Sequence, residues 1–274
     1  MRKGLTPLVI FLALSVVCSW IVWLWPFHNP GSFHVAVFGL RFDAPFNLTK
    51  LMVGICLPGL LAVISAASEG KPHILGMVAT IVKWRTSPKW YLLALSLPFG
   101  VFWLSFATVL FYFPSSHHRP SLSWFFLNLL LLLPFGPLWE EIAWRAYALR
   151  KLQGHFSAIT SALVIGLFWA VWHIPLWWIN VGLKNVPTAT LSAVLLSGVV
   201  SVTAWSIVFA FLYSRSSYSL PVVVLLHASY DSAAAAIFPS IESGQLHYIV
   251  LSAIVSVVLA VPFAMRMHNA QGPG

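Results

Sequence analysis

Charge is scarce in this sequence. Only 8% of the 274 residues are Asp, Glu, Lys or Arg, and the acids number six. Soluble domains carry roughly 25% charged residues. A chain this poor in charge, and 59% hydrophobic, cannot cover a water-facing surface. A lipid-facing surface needs apolar side chains, so a membrane protein is the expected class. Cysteine is nearly absent too. Cys18 and Cys56 both stand in apolar runs, form neither a disulfide framework nor a Cys-x-x-Cys metal pattern, and read as small buried hydrophobes. The sequence also lacks an internal repeat, a low-complexity tract and a soluble domain. The net charge of +9 comes from basic residues scattered singly between apolar runs. Nucleic-acid binding needs clustered Lys and Arg, so nucleic acid is excluded as a partner, and anionic lipid heads take its place.

What the chain does have is long apolar runs. A span needs about 20 mostly apolar residues to cross roughly 30 Å of hydrocarbon. Eight candidates result, near 5–25, 50–68, 90–113, 121–147, 157–179, 190–213, 218–238 and 246–265. Turn signals separate them, among them Pro26 to Gly31, Glu69 to Pro72, Pro114 to Pro120, Gly182 to Pro187 and Ser243-Gly244. The expected fold class is therefore all-α, a polytopic bundle of about eight transmembrane helices. The sizeable polar stretches are 26–49 and 69–89. The first run follows Arg2 and Lys3 but is too long for a signal-peptide core and ends in Trp23-Leu24-Trp25-Pro26, so it reads as a retained span. Ten basic residues (Arg2, Lys3, Lys71, Lys83, Arg85, Lys89, Arg150, Lys151, Arg215, Arg266) fall on one side of this topology and four (Arg41, Lys50, Arg119, Lys184) on the other. The side richer in Lys and Arg is expected to be cytoplasmic, with both termini there. The chain divides into helices 1–3 over 1–120, a core over 121–238, and a last helix with a short tail over 239–274.

Three of the six acids, Glu140, Glu141 and Asp231, stand inside apolar segments. A carboxylate at bilayer depth costs several kcal/mol unless paired, protonated or wet, which makes each a functional candidate. The first cluster is Pro134-Phe135-Gly136-Pro137-Leu138-Trp139-Glu140-Glu141, followed by Arg145. Its prolines and glycine are expected to break the fourth span. Pro137 suits the first position of a new helix, which puts Glu140 and Glu141 in the first turn, at the positive end of the helix dipole. Glu141 and Arg145 are four apart and share a face, so Glu141 takes a supporting role as an ion-pair partner. Glu140 points about 100° away and is left for chemistry. The second cluster runs from Trp169 to His173-Ile174-Pro175. The third is His227-Ala228-Ser229-Tyr230-Asp231, in which His227 and Asp231 share one helical face.

Depth along each helix, at 1.5 Å per residue, comes to ~18 Å for Glu140, ~22 Å for His173, ~14 Å for His227 and ~20 Å for Asp231. Four ionisable groups from three spans at one depth point to a shared site rather than to independent structural roles. Taken singly, each also has a plain reading. An intramembrane His is often an interhelical hydrogen-bond partner, and Glu-Glu-Arg can be a structural ion pair. The remaining histidines (28, 34, 73, 117, 118, 155, 247 and 268) lie near loops or span ends; His117-His118 is a weak metal option. The fourteen tryptophans read as interfacial or packing residues. Buried Glu, His and Asp also mark ion pathways, so a proton- or ion-coupled transporter is one alternative, though paired broken helices in two halves are missing. A catalytically silent scaffold is another.

In this order the three clusters resemble the CAAX protease and bacteriocin-processing (CPBP, or Abi) family of intramembrane endopeptidases. Its pattern is Glu-Glu-x-x-x-Arg, Phe-x-x-x-His and His-x-x-x-Asn/Asp, here Glu140 to Arg145, Trp169 to His173 and His227 to Asp231. The resemblance covers about 121–238. It implies that Glu140 and His173 activate a water to attack a peptide carbonyl, and that His227 and residue 231 stabilise the oxyanion. The implied substrate is a peptide or protein near the cytoplasmic leaflet, lipidated in the CAAX-processing members. Trp169 replaces the usual Phe, which is expected to alter packing only. Asp231 stands where CAAX-processing members have Asn. Ionised Asp has no hydrogen to give an oxyanion, so Asp231 is protonated, or orients His227, or binds a cation. Glu140, His173, His227 and Asp231 are also a zinc-type N/O donor set. No cofactor is favoured: a metal-free, glutamate-activated reaction is preferred, with zinc as the alternative.

Overall fold

The computed structural model describes residues 5–25, 35–37, 40–42, 48–112, 121–180, 187–237 and 245–269. Asp43, Glu242, His28, His34, His117, His118 and most of the turn signals named above lie outside the described residues. The helices are α1 (Thr6–Leu24), α2 (Leu48–Ser68), α3 (Lys71–Ile81), α4 (Pro88–Tyr112), α5 (Leu122–Leu132), α6 (Gly136–Glu141), a π-helix (Ile142–Leu149), α7 (Arg150–Gln153), α8 (Ala158–Asn180), α9 (Thr188–Arg215), α10 (Leu220–Ile237) and α11 (Gln245–Asn269). Seven are long and apolar enough to cross a membrane, and the bent pair Leu122–Leu132 with Gly136–Gln153 makes an eighth span if taken as one. The chain is an all-α polytopic bundle, as the apolar runs require.

Its outer surface has the character of a lipid-facing one. Leu130 is 69% exposed, Val258 66% and Phe111 79%. Large apolar side chains at such exposure are stable only where the surroundings are themselves apolar. Inside, α9 packs against α11 and α8, α4 and α5 against α10, and α1 and α6 against α2. Small residues let these backbones approach. A Cβ on Gly166 of α8 would come within 2.8 Å of Thr203 Cα on α9.

Three features depart from the sequence expectation. The polar stretch 69–89 contains α3, whose start is marked by Gly70 at φ 107° and an early proline, and whose Met77 and Thr80 are buried. The stretch 26–49 holds a minimal antiparallel pair, β1 (Val35–Val37) and β2 (Leu40–Phe42), with Ala36 opposite Arg41. The fourth span bends by 52° at Leu133 to Phe135, as its prolines demand, but continues past 147 to Gln153.

The local causes of that bend set up the site. Ser121 caps α5, its hydroxyl accepting from the Trp124 amide. Leu133 N–H still donates to Leu129, but Pro134 has no N–H to continue the ladder. α6 starts at Gly136, with Pro137 second. Glu140 and Glu141 are thus its fifth and sixth residues, beyond the first turn, and the expected first-turn dipole support does not apply. The π-helix that follows is buried along its whole length, from Ile142 to Leu149.

α6 is held from the other side by α2. A Cβ on Gly59 would sit 2.7 Å from the Trp139 carbonyl oxygen, one residue before Glu140. Gly59→Ala is therefore expected to destabilise the fold by about 1–3 kcal/mol, as overpacking does. Gly100→Ala, where an added Cβ meets nothing within 4 Å, is the control and is expected not to destabilise. Reversible unfolding in mixed micelles measures both.

Candidate active site

Side chains from α6, the π-helix, α8, α9 and α10 converge within the bundle. Glu140 is 3% exposed, Glu141 and Arg145 are fully buried, and His227 is 3% exposed. Charges this deep persist only when paired and hydrogen-bonded.

The pairing starts at Glu141. Its Oε1 accepts from Arg145 Nη1 at 2.8 Å, the pair expected from the four-residue spacing, and lies 2.8 Å from His227 Nδ1. A carboxylate bound to guanidinium only accepts, so Nδ1 of His227 carries the hydrogen. That fixes the ring and turns Nε2 toward Glu140 Oε2, at 3.9 Å, and Asp231 Oδ2, at 3.5 Å. His227 and Asp231 thus share a face, as their spacing implies.

Arg145 makes one ion pair for five N–H groups; among the described residues its Nε and Nη2 have no hydrogen-bond partner. Ring faces meet it instead. Its Cζ lies 4.3 Å from the Trp169 ring and 4.2 Å from the Phe209 ring. Guanidinium is weakly hydrated and planar, so it tolerates this corner between two rings where an ammonium would not. Phe209, on α9, carries no sequence signal: it is one phenylalanine in an apolar run, and only the tertiary packing singles it out.

Trp169 is the centre of the group. Its indole Nε1–H donates to Glu140 Oε2 at 2.8 Å. Its ring meets His227 at 5.2 Å, Phe209 at 5.4 Å and His173 at 5.6 Å between centroids. The expectation of altered packing alone is therefore incomplete, because indole brings a donor that Phe lacks.

His173 reaches the group through this ring. Its Nδ1 lies 2.8 Å from the Trp169 carbonyl oxygen. A carbonyl only accepts, so Nδ1 carries the hydrogen and Nε2 of the neutral ring keeps its lone pair. The imidazole stacks on Trp177 at 5.5 Å with an 11° tilt. His173 and Asp231 are half-buried, so the group is most open on their side. Cys56, read as a plain hydrophobe, sits on α2 within electrostatic range of Glu140.

Among the described residues no group of three His, Cys, Asp or Glu side chains is placed to hold a metal ion. His227 Nδ1 is committed to Glu141, and His173 is turned onto Trp169 and Trp177. His227 Nε2 is free of that commitment and faces Glu140 Oε2 and Asp231 Oδ2.

Removing one partner of a buried pair leaves the other charge uncompensated. Arg145→Met is expected to cost about 3–5 kcal/mol. Arg145→Lys is expected to recover little of that, since an ammonium cannot pack flat against Trp169 and Phe209 and loses the guanidinium fork. Unfolding in detergent, followed by circular dichroism, checks both.

Comparison with known proteins points to the same stretch of chain. Residues 122–233 match the family model described as Type II CAAX prenyl endopeptidase Rce1-like. A 55-residue stretch is 38% identical to a CAAX prenyl protease 2 from Methanococcus maripaludis, covering 20% of this chain and 20% of that protein. The match thus spans about a fifth of the curated relative's length. The matched segment contains Glu140, Glu141, Arg145, Trp169, His173, His227 and Asp231, the same side chains that the bundle gathers. Through that segment, about two-fifths of the chain is similar to the Rce1-like CAAX endopeptidases.

Proposed function

We propose that this protein is an intramembrane endopeptidase that hydrolyses a peptide bond near the cytoplasmic leaflet, with water activated by Glu140 and His173. The observation that carries the reading is the Glu140 carboxylate. It is almost fully buried in a span, yet one of its oxygens, Oε2, makes both contacts, to Trp169 and toward His227. The hydrogen bond this carboxylate accepts from Trp169 is on Oε2, not Oε1.

In the proposed route, a water held between Glu140 and His173 Nε2 finds two acceptors. Glu140 takes a proton as the water oxygen attacks the scissile carbonyl carbon, and the carbonyl oxygen becomes an oxyanion. His227 as imidazolium donates on both sides, to Glu141 through Nδ1 and to the oxyanion through Nε2. Collapse of the tetrahedral intermediate breaks the C–N bond, and the proton held by Glu140 passes to the leaving amine. Asp231 acts through His227, accepting from Nε2 before substrate arrives. Glu141 and Arg145 hold His227 in place. The proposed route is metal-free.

The similarity of residues 122–233 to CAAX prenyl endopeptidases supports a peptide or protein substrate presented at the membrane, with a lipidated tail as one candidate. Positive-inside charge supports an orientation with both termini in the cytoplasm. The half-buried side, at His173 and Asp231, is the proposed entry for water and peptide.

Glu140→Gln, His173→Ala and His227→Ala are each expected to lower kcat by at least about 100-fold, the scale of general acid–base and oxyanion contributions, with the fold retained. Cleavage of a lipidated peptide in liposomes measures this, and wild-type turnover in any one removes that residue from the mechanism. Asp231→Asn is expected to stay within about tenfold of wild type, because an amide still orients and donates. Activity is expected to survive exhaustive chelation, and loss restored by added zinc would overturn the metal-free route.

A further inference from the structure

The Trp169 indole does two separable things. Its ring packs against Arg145, Phe209 and both imidazoles, which any aromatic ring in that slot does in part. Its N–H, at 2.8 Å from Glu140 Oε2, is a directional contact that only a donor makes. Trp169 is 4% exposed and Glu140 3%, so little water is available to replace that bond.

A glutamate side chain has a freely rotating terminal carboxylate. Glu140 has carboxylates nearby, at Glu141 and Asp231, that share His227 with it. At 3.9 Å, His227 Nε2 is too far to fix its plane by a hydrogen bond. The indole hydrogen bond, at 2.8 Å, is short enough to do so, and it engages Oε2 rather than Oε1.

We propose that Trp169 is a positioning residue for the reaction: its indole N–H pins Glu140 Oε2 so that Oε1 is presented to the water. This rests on the reading of Glu140 as the proton acceptor. The effect belongs to the chemical step, since Trp169 acts through Glu140. It therefore falls on kcat and leaves KM alone.

The experiment replaces the N–H and keeps the ring. Trp169→Phe removes the donor with some loss of ring area. Incorporation of 3-benzothienylalanine at 169 puts sulfur where the N–H was and keeps the bicyclic shape, so the stacks on Arg145 and Phe209 persist. Both are expected to lower kcat about tenfold or more, with KM within twofold of wild type and an unchanged thermal midpoint in detergent. The carboxylate stretching band of Glu140, isolated by infrared difference against Glu140→Gln, is expected to shift in both. Wild-type kcat in the benzothienyl protein overturns the proposal, as does a raised KM at unchanged kcat or an unmoved carboxylate band. Glu140→Gln run in parallel separates the two layers. If it is inactive while both 169 variants turn over normally, the endopeptidase reading stands and this inference falls. If it cleaves at the wild-type rate, both fall.

Discussion

The structure depends on keeping three carboxylates, a guanidinium and an imidazole deep in an apolar bundle. Each of these groups alone would be expelled or neutralised at that depth. Together they are held by a chain of short contacts, Arg145 to Glu141 and His227 to Glu141, with the two rings of Trp169 and Phe209 closing over the guanidinium. The helices that supply these side chains have no freedom to slide without separating charges. Register between α6, the π-helix, α8 and α10 is set by this constraint more than by the apolar packing around it, which would tolerate many registers.

Backbone irregularity serves the same end. The proline-rich break between α5 and α6 turns the chain by 52°, which lets the second half of the span run through the centre of the bundle. The π-helix continues that path with eight buried residues and carries Arg145 inside it. Single π segments occur often at functional sites, where the wider turn re-aims side chains that a regular helix would send elsewhere. The close approach of Gly59 on α2 to the backbone of Trp139 then fixes the height at which Glu140 emerges.

Much of this was legible from the amino acids alone. Long apolar runs with sparse breaks gave the spans, because lipid imposes a length and a composition on each. Four-residue spacing gave the Glu141–Arg145 and His227–Asp231 relations, because both are local to a helix. What escaped was tertiary or nearly degenerate in pattern. α3 hid in a basic stretch because a short, half-exposed helix leaves a faint period. The π-helix escaped because one extra residue per turn scarcely alters the periodicity. The indole–carboxylate bond joins Trp169 to Glu140, 29 positions apart, and aromatic-for-aromatic substitution looks conservative until the partner of the N–H is known. Phe209 is invisible for the same reason.

The approach of Gly59 to Trp139 bears on how portable the site is. The segment that carries the family's likeness begins at residue 122, while Gly59 belongs to α2, well upstream of it. The buried ionisable side chains lie together in one stretch, but the wall that sets their elevation lies outside it. Transplanting that stretch alone moves the side chains without their footing, and a chimaera has to bring the second helix along.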